Sequence, residues 1–149
     1  MTFANGVHTD LLTSGPDIDF GFEPELGRTV PARTCTVSPR WRGNDEFSEP
    51  FDLSFRAINT GTRTARDLVF NVHLPLPMAS GFQDQPTLIR ESDGSATLVR
   101  TVMFIHPQSV QTFTIGLPLP RATGQMEFEV TVNAADTSEK CFKLKVQSS

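Results

Sequence analysis

The stretch "FDLSFRAINTGTRTARDLVFNVHLPLP", residues 51–77, decides the fold. Phe51, Leu53, Phe55 and Ala57 alternate with Asp52, Ser54 and Arg56. After the polar segment "TGTRTAR", Leu68, Phe70, Val72 and Leu74 alternate with Asn71 and His73. A side-chain period of two is the signature of a half-buried strand. Two such runs flanking a polar turn predict a β-hairpin.

The same pattern continues in both directions. "TCTVS" near residue 35 reads as a short strand, and Ser38–Pro50, with Pro39, Gly43 and Pro50, as a loop. "TLIRESDGSATLVRTVMFI" reads as a second hairpin, with Asp93-Gly94 as a two-residue turn. "VQTFTIGL", "MEFEVTV" and "KCFKLKV" each place alternate apolar residues on one face: Phe113, Ile115 and Leu117; Met126, Phe128, Val130 and Val132; Phe142, Leu144 and Val146. Lys143 and Lys145 face outward and mark the last strand as a guarded edge. No window carries a helical period; "PRATGQ" has room for one turn at most. About seven to eight strands at roughly ten-residue spacing predict an all-β, antiparallel sandwich of immunoglobulin-like type.

The first third differs. Residues 1–32 carry Gly6, Gly15, Pro16, Gly21, Pro24, Gly27 and Pro31, which interrupt any long element. They also carry Phe3, Val7, Leu11, Leu12, Ile18, Phe20, Phe22, Leu26 and Val30, too many apolar groups for a solvated tail. The expectation is an extended arm over 1–32, docked on its own domain or on a neighbour, followed by a sandwich over 33–149. The chain's formal charge of −4 resides in this region: residues 1–50 hold 4 Arg against 8 Asp and Glu, and residues 51–149 hold nine basic against nine acidic residues. In "GPDIDFGFEPEL" the acids alternate with Ile18, Phe20 and Phe22 and match no calcium-loop spacing, so an amphipathic arm is the simpler reading.

Asn59-Thr60-Gly61, Ala65, the run Leu68–Val72 and Leu74-Pro75 together resemble the signature of bacterial immunoglobulin-like repeat domains, including the conserved repeats of surface proteins and related cell-adhesion domains. "HPQSVQTFTIGLPLP", residues 106–120, is similar to a later segment of those domains. The resemblance covers residues ~50–146. It implies an immunoglobulin-like fold and a binding or structural role, with no shared active site. The chain departs from the pattern in standing alone and in its first 32 residues.

Chemistry is sparse in the sequence. His8, His73 and His106 lack metal-ligand partners at i+2 or i+4, and no nucleophile elbow or glycine-rich phosphate loop is present. No cofactor or metal is expected, and the chain reads as non-enzymatic. Cys35 and Cys141 are too few for a zinc site. They form a candidate disulfide, worth roughly 4–5 kcal/mol on the chain-entropy model, or remain two thiols. Because Cys141 lies opposite the inward face of its strand and Cys35 on the inward face of its own, a bond would need a bulge or an edge position; the first and last strands are expected to be neighbours either way.

The candidate interface consists of Phe20 and Phe22 on the arm with Arg33, Arg40, Trp41 and Arg42, since Arg and Trp are enriched in interface hot spots. A solvated loop with Trp41 tucked against the end of the sandwich is the alternative. A lack of net basic charge argues against nonspecific nucleic-acid binding, and no run reaches the ~18–20 apolar residues of a membrane span. The start of the chain has no basic, apolar export signal, so either the protein is used without that route or a signal has been removed. These features point to an assembly protein whose partners are copies of itself or a lattice protein, such as a phage-virion decoration or accessory protein. A cell-surface adhesion or carbohydrate-binding module is the alternative.

Overall fold

The computed structural model describes residues 15–149. The part of the expected arm before Gly15, with Phe3, Val7, Leu11, Leu12 and His8, lies outside the described residues. Nine strands and one short helix follow: β1 (Ile18–Phe22), β2 (Thr34–Val37), β3 (Phe51–Asn59), β4 (Ala65–Leu74), α1 (Leu76–Ala79), β5 (Leu88–Arg90), β6 (Ala96–Ile105), β7 (Val110–Leu117), β8 (Gln125–Asn133) and β9 (Lys140–Ser148). They form two sheets, β1-β3-β7 and β2-β9-β8-β4-β6-β5, packed as a sandwich.

The inward faces are those the alternation predicts. Phe55, Phe70, Phe128 and Phe142 are all buried, with Leu53, Leu68, Val72, Val130 and Leu144 beside them. Phenylalanine rings knit the two sheets together. Phe20 lies 5.7 Å from Phe55 and 5.4 Å from Phe70, and Phe70 meets Phe113 edge-on at 4.9 Å. Phe suits this role because burial leaves no polar group to satisfy.

The sandwich begins at Ile18, not at residue 33. β1 pairs antiparallel with β3 along its whole length, from Ile18 opposite Asn59 to Phe22 opposite Phe55. Ile18, Phe20 and Phe22 are buried in the core. The stretch looks irregular in sequence because Gly21 and Pro24 shorten it. Its alternation spans only five residues.

β3 and β4 are not a hairpin. They belong to opposite sheets, and residues 60–64 cross between the layers. Each run was recognisable as a strand, but alternation says nothing about which sheet a strand joins. β5 and β6 do form a hairpin, with Leu88 opposite Leu98 and Arg90 opposite Ala96. Its loop has three residues rather than two. Gly94 N–H bonds the Glu91 carbonyl, Glu91 N–H bonds the Ser95 carbonyl, and Gly94 takes φ 91°, which only glycine adopts without strain. The helical turn falls at Leu76–Ala79, where Pro77 suits the first turn and Met78 and Ala79 are buried.

β9 is not an edge. β2 runs parallel to it, with Thr34 opposite Lys145 and Val37 opposite Ser148. The first strand of this sheet and the last are therefore neighbours, as expected. They are not bridged. Cys35 stands opposite Val146, five residues beyond Cys141, and Cys141 projects from the outer face. At ~3.3 Å per residue the two Cα atoms lie well outside disulfide reach. Both thiols are free.

Candidate functional site

The sequence-derived interface residues disperse. Phe20 and Phe22 are 1% and 2% exposed and cannot offer a contact surface. Arg33 is exposed but bound along the edge of β1: its guanidinium bonds the Phe20 carbonyl and Asp19 Oδ1 (2.6 Å) and lies 4.9 Å above the Phe142 ring. It thereby locks β1 to the neighbouring sheet. Arg42 pairs with Glu49 at 2.5 Å. Trp41 is half-buried beneath Arg121, whose guanidinium carbon sits 4.7 Å from its ring and whose N–H groups bond the carbonyls of Gly43 and Asp45. Arg40 is exposed, and among the described residues no side-chain hydrogen bond or ion pair holds it. The tucked-loop alternative describes Trp41.

Asn59 is the most constrained polar residue. It is fully buried, and all its hydrogen-bonding capacity is used. Oδ1 accepts from the N–H groups of Asp17 (3.1 Å) and Gly61 (3.0 Å); Nδ2 donates to the carbonyls of Arg63 (2.8 Å) and Ile105 (2.9 Å). One side chain thus joins the start of β1, the crossing after β3 and the end of β6. Gly61 sits so tightly that a Cβ would lie 2.1 Å from the Gly15 carbonyl oxygen. The Asn-Thr-Gly triplet is a structural clasp.

The outer face of the six-stranded sheet is polar. Lys143, Glu129, His73 and Thr97 follow one another across four strands. A shallow depression of about 440 Å³ opens there, lined by His73, Glu91, Ser95, Thr97, Glu127 and Glu129. Each His73 ring nitrogen meets a threonine hydroxyl, Nε2 to Thr131 at 3.0 Å and Nδ1 to Thr97 at 3.3 Å. These two contacts fix the orientation of the ring. Desolvation, then the charge and hydrogen bond of Glu129, push the Cys141 thiol above its ordinary value, so it is a poor nucleophile at neutral pH. Among the described residues, no group of three or more His, Cys, Asp or Glu is placed to hold a metal ion. No helix among them is long and apolar enough to cross a membrane.

One side of the sandwich is different. Among the described strands, β7 is an edge of its sheet. β6 is covered by β5 only over Ala96–Leu98, so its run from Arg100 to Ile105 has no outer neighbour among the described strands. The two open edges lie on the same side, joined by residues 106–109. Met103 is 78% exposed, Phe104 49% and Val110 43%. Phe104 rests on His106, ring centres 4.8 Å apart, and His106 Nδ1 meets Thr64 Oγ1 at 3.0 Å. Sequence reasoning missed this surface. Its one signal was the apolar run "VMFI", which breaks the alternation at the end of β6.

No family model matches the chain, and no curated protein matches it. Solved structures do. An uncharacterised protein from Nocardia farcinica with an immunoglobulin-like fold aligns with 79% of this chain and 99% of its own, at 13% identity and TM-score 0.51. This chain has an immunoglobulin-like fold. An immunoglobulin-like protein from Pseudomonas aeruginosa aligns over 86% of this chain and 91% of its own, at 11% identity and TM-score 0.35. At 13% identity, the likeness to the Nocardia farcinica protein speaks for the fold alone. Among the described residues, Leu26, Val30, Leu76 and Ile89 are also exposed, and the β6–β7 side is the surface where exposed apolar groups stand beside open strand edges.

Proposed function

We propose that this domain is a non-enzymatic contact module that takes its place in a larger protein assembly through the β6–β7 side. The observation that carries the reading is the pair of unpaired strand edges lying together, with Met103, Phe104 and Val110 exposed beside them. Unpaired edges flanked by apolar side chains are templates for another chain. The setting that suits a compact unit of this kind is a virion, as a capsid decoration or accessory protein, with a lattice protein or further copies as partner. The Asn59-Thr60-Gly61 clasp supports kinship with the bacterial immunoglobulin-like repeats that the sequence resembles. A carbohydrate platform finds less support, since Trp41 lies beneath Arg121.

The test is fractionation of the protein, tagged and expressed in its own source. The wild type should sediment with large protein particles, and the double variant Met103→Glu, Phe104→Glu should stay at the top of the gradient. A wild type found only as free protein overturns the reading.

A further inference from the structure

We infer that the partner on the β6–β7 side is a second copy of this chain, joined by antiparallel pairing of β7 with its own two-fold mate. This rests on the contact reading above and names the occupant.

Natural sheets blunt their edges with short strands, prolines, charges or coverings. Among the described residues, three of the four strands that end the sheets are blunted, and the run of β6 beyond β5 is open beside the fourth. β2 has four residues and β5 has three. β1 is capped by the bridge from Phe22 to Ala32 and by Arg33 on the Phe20 carbonyl. β7 is not blunted. It runs for eight residues, "VQTFTIGL", with neither a charge nor a proline.

The absence of charge is what suits β7 to itself. A two-fold contact sets the same patch against itself, so any charge near the axis meets its own copy. Paired residues must also share a face, which centres the axis on Phe113 or on Thr114. In the first register Thr112 faces Thr114 of the second copy. In the second, Thr114 faces Thr114 and Thr112 faces Gly116. Thr112 and Thr114 lie on the solvent face, beside Ser54 and Arg56 of β3. Every opposition along the strand is uncharged, and the three-stranded sheet becomes a continuous six-stranded one.

The second layer selects a whole copy over a lone peptide. Stacked sheets lie ~10 Å apart, so an added peptide strand covers one edge only. A second sandwich approaching along β7 brings its own β6 towards Met103 and Phe104, which belong to the other sheet. One contact thus covers both open edges.

Sedimentation equilibrium on the purified full chain tests this. The wild type should show a concentration-dependent doubling of mass. Thr112→Lys with Thr114→Lys, and separately Thr112→Glu with Thr114→Glu, oppose like charges in either register and should each weaken the dimer by at least about tenfold. Both positions are exposed, so at concentrations where the wild type is monomeric the variants should melt as it does. An equimolar mixture should regain the doubled mass, as a heterodimer that weakens with salt. A wild type monomeric at every concentration overturns the inference, as does a dimer that both double variants leave intact, or a mixture that stays monomeric. None of these results touches the fractionation outcome, so the two readings fail separately.

Discussion

Asn59 shows how one buried amide organises a junction. It stands at the end of the inward series Leu53, Phe55, Ala57, and in sequence the next inward position simply reads as a turn residue. That series was legible in the sequence. The burial of its last member was not, because Asn belongs ordinarily to exposed turns and two of its four partners, Asp17 and Ile105, lie more than forty residues away along the chain. Asn59→Ala should lower stability by about 2–5 kcal/mol in denaturant titration, since the Ile105 carbonyl and Gly61 N–H lose their partner away from water. Cys141 provides a second residue-level test. Its thiol is raised above the ordinary value of 9.0, by desolvation first and then by Glu129. Thiolate therefore forms only at more alkaline pH, and alkylation should be slow at pH 8. Glu129→Gln removes the negative neighbour, so Cys141 should react faster there, measured by mass spectrometry in a Cys35→Ser background. An unchanged rate would show that Glu129 does not raise the thiol, leaving desolvation and the charge of Glu139.

At the level of elements, β1 corrects the division into arm and sandwich. Its three buried side chains are worth roughly 1.5–3 kcal/mol each in gross transfer energy, comparable with the whole stability of a small domain. Deleting residues 1–32 should therefore leave a chain without a cooperative melting transition, whatever its partner. Phe20→Ala alone should cost about 3–5 kcal/mol, because Phe20 touches rings from both sheets. A deletion variant that still melts sharply would restore the arm as a separate piece. β2 to β9 were visible as short alternating or β-rich runs, while sheet membership was hidden. The crossing at residues 60–64 and the parallel β2–β9 pairing are fixed by contacts between residues far apart in the chain, to which a periodicity is blind.

At the scale of the whole molecule, the acidic first third is not a free anionic arm over its described part. Asp17 pairs with Lys140, Asp19 with Arg33, Glu23 with Arg56 and Glu49 with Arg42. The charge imbalance seen along the sequence is shared out once the chain is folded, which composition by segment could not reveal. Exposed pairs of this kind are each worth about 0–1 kcal/mol. Melting of the monomeric Thr112→Lys, Thr114→Lys variant should accordingly shift little between low and high salt; a large fall with salt would show that these pairs hold the fold. The parallel β2–β9 pair, finally, gives the molecule a mechanical character. When tension is applied at Arg33, just ahead of β2, and at the trailing end of β9, β2 is pulled backward and β9 forward along their shared axis. Their hydrogen bonds are then loaded together in shear, rather than one after another as in an unzipping hairpin. Pulled between Arg33 and the trailing end in a single-molecule instrument, this domain should yield at a higher force than when pulled across β5 and β6, whose antiparallel bonds open singly from the free end.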